Sequence, residues 1–457
     1  MLKTGIVAAF IIALSAVAHD PPPMRHWEIP SSDPDRIFLS FIGDPTTSRA
    51  VTWRTDHTVS NAMAEIAVAL GEPNFNRHAK RVEARTEIID LGQILGKERD
   101  PVHYHSAVFQ GLEPDTLYAY RVGDGGKRWS EWIQFRTASA DHAGFTFVYF
   151  GDAQNDVHSR WSRVIRMAHQ TAPDAAFALH AGDLINRANR DPEWAGWFKA
   201  GSYLHAQWTG VPVIGNHEYT NAGGTSTTER TMSALWRPQF TLPVVASLPE
   251  TLHETVYSFD YQGTRVIALN SATEVKAQTR FLEEQLKKPG ARWLVVTFHH
   301  PLFSPGGRGH YEPEERQAWL DLFKKYNVDL VLQGHDHSYL RGQVPMIGNG
   351  QPMGFQTLFV TSVSGPKQYP TNREHLEKYR PENYTPARRG ENTQFFQVIR
   401  IEEELIIYEA YTATGELYDR AVIHKDFTTG AKTIHSEYAG IGERTMENTI
   451  EYTKKGL

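Results

Sequence analysis

The sequence predicts an all-β sandwich over residues 24–138 followed by an α/β layered domain over residues 144–425. Two observations carry this. Up to Thr137 the apolar residues come in short runs separated by Gly, Pro, Asp and Thr, as strands joined by tight turns require. Beyond it, continuous apolar runs alternate with stretches of helical character, which places strands between covering layers.

Taken in chain order, Lys3 gives a short positive start, Ile6 to Leu14 an apolar stretch, and Ala16-Val17-Ala18 a cleavage pattern of small residues. Residues 1–18 therefore read as a signal peptide, and the protein as exported, periplasmic or secreted. The apolar stretch is shorter than the ~20 residues a spanning helix needs, so no stable membrane anchor is expected. IFLSFI, AVTWRT, AEIAVAL and YAYRV supply the sandwich strands, with Trp53 as the expected buried tryptophan and no convincing helix among them. FTFVYF, AAFALHA, VPVI, RWLVVTF and VDLVLQ supply the strands of the second domain. Helices are expected over 161–170, 279–288 and 314–326, the last opening on Pro313 and acidic residues. The stretch 365–392 reads as a long irregular excursion over the site. FFQVIRI and ELIIYEAY form a closing hairpin, and residues 426–457 read as a C-terminal tail.

Each of the five apolar runs ends in a polar motif: Gly151-Asp152, Gly182-Asp183, Gly215-Asn216-His217-Glu218, His299-His300-Pro301 and Gly334-His335-Asp336-His337. Parallel strands bring distant positions together at their carboxyl edge. Carboxylate, amide and imidazole donors are the ligands a two-metal phosphoesterase needs, and they suit iron, manganese or zinc.

This ordered set resembles the calcineurin-like metallophosphoesterase superfamily, and within it the purple acid phosphatases. That family's pattern is G-D-x-G, G-D-x-x-Y, G-N-H-[ED], V-x-x-H and G-H-x-H, and Val296-Thr297-Phe298-His299 and Gly334-His335-Asp336-His337 fill the last two. Gly111 to Val122 resembles the fibronectin type III hallmark, and the larger purple acid phosphatases carry such a domain here. The resemblance implies two metal ions, a divalent or mixed-valence pair. Asp183 would bridge them, Asp152 and His337 would hold the first, and Asn216, His299 and His335 the second. It further implies that a metal-bound hydroxide attacks a phosphate ester while His217, with its ring oriented by Glu218, steadies or protonates the leaving oxygen. His310 is a second candidate catalytic residue and Arg308 a weaker one.

Two positions depart from the family pattern. Asn186 stands in place of the tyrosine of the second motif, so a purple chromophore is not expected, and Gln154 stands where many relatives in the wider superfamily place a histidine. Gln154, Asn186 and Glu218 are thus possible additional metal or supporting residues, with a weaker first site as the consequence. His300 reads as a packing or supporting residue, His180 as a hydrogen-bonded core residue, and His158 and His169 carry no signal.

A net charge of −6 and a pI near 6.4 exclude nucleic-acid binding by a large basic face. The absence of cysteine excludes disulfides and leaves core size to stabilise 457 residues. The expected function is hydrolysis of a phosphomonoester. A phosphodiesterase or nucleotide hydrolase on the same centre is the alternative, and an inactive metal-binding surface protein acting through its sandwich is the alternative of another class.

Overall fold

The computed structural model describes residues 24–95, 99–221, 230–306, 313–348, 351–437 and 440–449. The expected signal peptide, Arg308 and His310 lie outside them. All five apolar runs form strands with no exposed residue. Phe145–Phe150, Phe177–His180 and Thr209–Pro212 pair in parallel; Trp293–Thr297 and Leu330–Gln333 pair in parallel in a second sheet. The two sheets face each other across a core that includes Phe147, Phe177, Tyr257, Val295 and Leu332. Hydroxyls tie them together: Tyr257 donates to the Pro212 carbonyl at 2.7 Å, and Tyr149 accepts from the Gln333 N–H at 3.1 Å.

The helices Ser162–Thr171, Thr279–Lys287 and Pro313–Lys325 cover these sheets close to where the sequence puts them. Each turns one apolar stripe inward: Val164, Ile165 and Ala168; Phe281, Leu282 and Leu286; Trp319, Leu320 and Phe323. A fully buried Leu or Phe contributes roughly 1.5–3 kcal/mol, so it is these stripes that hold the helices down. No helix among the described residues is long and apolar enough to cross a membrane.

In the N-terminal region Trp53 is fully buried beside Leu39, Ile66, Phe109 and Tyr120. A four-stranded sheet (Lys80–Glu83, Met63–Val68, Leu117–Gly123, Ile133–Arg136) forms one layer of the sandwich. The other layer is not a separate sheet. Ser40 of strand Asp35–Ser40 pairs in parallel with Gly210, so sandwich and catalytic strands run on as one sheet of eleven among the described residues. Gly210 permits this because a Cβ there would lie 2.0 Å from the Phe38 ring.

Three sequence expectations need correction. The excursion 365–392 is partly regular, with helix Arg373–Glu377 and strand Thr385–Gly390, the latter paired with Tyr339–Gly348. The tail contains strand Lys432–Glu437, which pairs with Leu417–Lys425, and Lys432 reaches the buried Asp329 carboxylate at 3.0 Å. Its alternation is masked by polar residues because it lies at the edge of the sheet. Finally, a short helix, Leu91–Leu95, interrupts the otherwise all-β sandwich.

Candidate metal centre

The five motifs meet at the carboxyl ends of their strands, three from one sheet and two from the other. Sharp turns bring the side chains inward, with Asp183 and His335 both in the left-handed region at φ 52° and 69°. Such backbone is costly for these residues and persists only where the surroundings enforce it. Gly182 completes the second turn at φ 89°, where a Cβ would lie 2.6 Å from His299 Nδ1.

Two groups of donor atoms converge, Asp152, Asp183 and His337 in one and Asp183, His299 and His335 in the other, all within 4.8 Å of one another in each group. Asp183 belongs to both. Asn216 joins the second group, its Oδ1 lying 3.1 Å from His299 Nε2 and 3.0 Å from His335 Nδ1.

The chemistry of these contacts fits cations. His299 donates Nδ1–H to the Ala181 carbonyl at 2.8 Å, so Nε2 carries a lone pair and faces Asp183 Oδ2 at 3.1 Å. His337 likewise donates Nδ1–H to the Lys367 carbonyl at 2.8 Å and turns Nε2 to Asp152 Oδ2 at 3.2 Å. That oxygen is buried and has no hydrogen-bond donor among the described residues. Lone pairs facing lone pairs repel unless a proton or a metal stands between them. Burial alone would depress the His299 imidazole, but the Asp183 and Asp152 carboxylates outweigh it and lift it to about 10. The pocket thus demands positive charge, and its oxygen and imidazole donors suit a borderline metal ion.

Residues 34–137 match the purple acid phosphatase N-terminal domain, and residues 153–339 the calcineurin-like phosphoesterase domain. Purple acid phosphatase 18 of Arabidopsis thaliana is 25% identical over 374 residues, which cover 78% of this chain and 79% of that protein. Human acid phosphatase type 7 is 26% identical over 340 residues, covering 68% and 71%. The structure of a purple acid phosphatase from yellow lupin seeds superposes with a TM-score of 0.71 at 18% identity, covering 87% of this chain and 75% of that one. The chain belongs to the purple acid phosphatase-like metallophosphoesterases. It is a metal-dependent phosphatase.

Around the phosphatase's candidate ligands, the supporting residues differ from expectation in one respect. Glu218 does not orient the His217 ring. Residues Asn216–Glu218 make a single tight turn that carries the Glu218 carboxylate back to the N–H groups of Gly215 at 2.7 Å, Asp183 at 3.0 Å and Leu184 at 2.8 Å. Burial, and then the neighbouring Asp183, raise this carboxyl to about 8. The His217 ring is held instead by the Asn186 carbonyl, which accepts from Nδ1 at 2.6 Å, and the His217 N–H donates to Asp183 Oδ1 at 2.9 Å. Asn186 therefore serves His217 through its backbone. Gln154 is brought into the centre, its amide N–H donating to Asp183 Oδ2 at 2.7 Å.

His300 lies behind the ligands, hydrogen-bonded to Ser271 at 2.9 Å with its ring 4.4 Å from that of His335. His180 is buried, as expected, but neither ring nitrogen has a hydrogen-bond partner among the described residues; the ring packs between Phe150 and Trp197.

A cavity of about 380 Å³ is lined by Asn186, whose carbonyl holds the His217 ring, and by Arg187, Arg190 and Tyr219, with Ile94 contributed by the sandwich. Two features escaped the sequence reading: this contribution of Ile94, and Lys367, whose ammonium reaches Gln154 Oε1 at 3.3 Å. Lys367 gave no such signal as the motifs did, since Ser364, Gly365 and Pro366 separate it from the apolar run LFVTSV.

Proposed function

We propose that the chain is an exported phosphomonoesterase of the acid phosphatase type, built on a two-metal centre with Asp183 shared between the positions. What supports this is the sharing itself: two groups of donor atoms have one carboxylate in common, as a pair of cations acting on a single phosphoryl group requires. Asp152 and His337 would complete the first position, and Asn216, His299 and His335 the second, with iron, manganese or zinc as occupants. When bound, such a pair neutralises phosphoryl oxygens and acidifies water.

The remaining roles belong to the chain's own side chains. His217 commits Nδ1–H to the Asn186 carbonyl, which leaves Nε2 to hold the proton that the departing alcohol needs. Its side chain is about one-fifth exposed, so substrate can reach it. The cavity that Asn186 lines is large enough for the organic part of an ester, and Arg187 at its wall favours negatively charged groups, while Arg190 is paired with Glu193 at 3.2 Å. Glu218 fixes the backbone that carries Asp183. Export is supported by the first 18 residues.

The test is hydrolysis of chromogenic phosphomonoester and phosphodiester substrates by protein stripped of metal and resupplied separately with iron, manganese, zinc and calcium. Metal-dependent monoester turnover is the expected result. Preference for the diester would replace the monoesterase reading with a phosphodiesterase, and silence with every metal would leave an inactive metal-binding protein.

A further inference from the structure

Lys367 sits on a short stretch of backbone bound tightly to the first motif. Ser364 and Gly365 both donate their N–H groups to the Asp152 carbonyl, at 3.0 and 2.6 Å, and the Ser364 hydroxyl donates to the Gly151 carbonyl at 2.7 Å. A Cβ on Gly365 would lie 2.7 Å from the Gln154 carbonyl oxygen, so the two segments touch backbone to backbone. From this fixed base Lys367 does two things. Its carbonyl accepts from His337 Nδ1 at 2.8 Å, and its ammonium donates to Gln154 Oε1 at 3.3 Å.

The second contact decides what Gln154 can offer a metal. An ammonium only donates and an ionised carboxylate only accepts, so a primary amide between them has one orientation. Its oxygen faces Lys367 and its nitrogen faces Asp183 Oδ2. An amide nitrogen is not a ligand for iron, manganese or zinc, whereas an amide oxygen is.

Building on the two-metal reading above, we propose that Lys367 is a positioning residue that weakens the first metal position by taking the amide oxygen of Gln154 out of the ligand set. With Asn186 in place of a tyrosine, that position has Asp152, Asp183 and His337 as its ligands and a fixed positive charge close by. It binds a divalent ion in exchangeable fashion while the second position, with Asn216, His299 and His335, holds its ion firmly. The first ion then enters and leaves with the free metal concentration.

The experiment is a titration of chelator-treated protein with Mn²⁺, followed by calorimetry and by electron paramagnetic resonance of the free ion, on the wild type, Lys367→Met, Lys367→Arg and the double variant Lys367→Met/Gln154→Ala. The wild type is expected to show one tight and one weak site. Lys367→Met tightens the weak site by roughly tenfold or more, since a repelling charge is lost and an oxygen is gained. Lys367→Arg leaves it weak, and the double variant loses the part of the gain that comes from Gln154. A weak site that is unchanged or weaker in Lys367→Met overturns the proposal, as does a double variant that keeps the whole gain. Two tight sites in the wild type overturn it while leaving the two-metal reading intact, and a wild type that takes up neither Mn²⁺ nor, in a parallel titration, Zn²⁺ or Fe²⁺ removes both.

Discussion

His217 is fixed at two points, by its backbone on Asp183 Oδ1 and by its ring on the Asn186 carbonyl. Neither contact depends on its Nε2. Replacing it with alanine is therefore expected to leave the metal content, measured by elemental analysis, near that of the wild type, while kcat for a phosphomonoester falls by roughly 10²- to 10⁴-fold. Turnover unchanged by His217→Ala would remove this side chain from the reaction. At this scale the candidate ligands were legible because each closes an apolar run with a residue type that has few other reasons to be buried. Glu218 was legible as a site residue but not in its role. Adjacency in sequence to His217 pointed to the ring, whereas a tight turn sends the third side chain back to the N–H of Gly215. Lys367 was not legible, because a lysine in a stretch rich in Pro, Tyr and Arg has nothing in sequence to distinguish it from a solvated one.

Among the secondary-structure elements, strands were read well and their ends better, since a buried strand must carry four or five apolar residues and then stop. What periodicity could not supply was pairing. The strands Asp35–Ser40 and Ser48–Asp56 are joined to helix Asp191–Gly201 by a buried network in which Asp191 accepts from Arg36 at 2.7 and 3.0 Å. Arg54 lies 3.7 Å from the same carboxylate, and Arg36 also donates to Tyr104 and Gln239. Asp191→Ala would leave two arginines buried with less than their charge in partners. The expected loss is roughly 3–5 kcal/mol in denaturant unfolding, the cost of breaking a buried pair from one side. A loss under ~1 kcal/mol would show that Asp35 and the neutral partners suffice, as for a pair with solvent access.

For the molecule as a whole, acid is the condition to examine, since histidines buried as neutral groups make stability depend on pH there. Burial holds three histidines of the core neutral: His105 is pushed down to about 4, His205 to about 3, and His180 well below its ordinary range. The unfolded chain takes up protons that the folded one refuses, so their contribution is whole above pH ~6.5 and is lost as pH falls, by roughly 1.4 kcal/mol per pH unit for each. Glu218, raised to about 8, pulls the other way between 4.5 and 8, and Glu254 and Asp336, raised by burial, pull with it, while the less buried His158 and His375, also lowered, add to the histidine side. Melting temperature should therefore drop from pH 6.5 to 5, and a flat profile in calorimetry would contradict the burial of these rings as neutral groups. The layered α/β class and the sandwich before it were both readable in the sequence. Their union in one sheet was not, because a parallel pairing between Ser40 and Gly210 leaves no local trace. That pairing also sets an order in time. Until Gly210 has been synthesised, the strand Asp35–Ser40 has no neighbour on one side, and contacts between such distant residues form slowly. A nascent chain halted before that glycine would expose an unpaired edge to its neighbours, so a strand made well before its partner is among the last to be safe from aggregation.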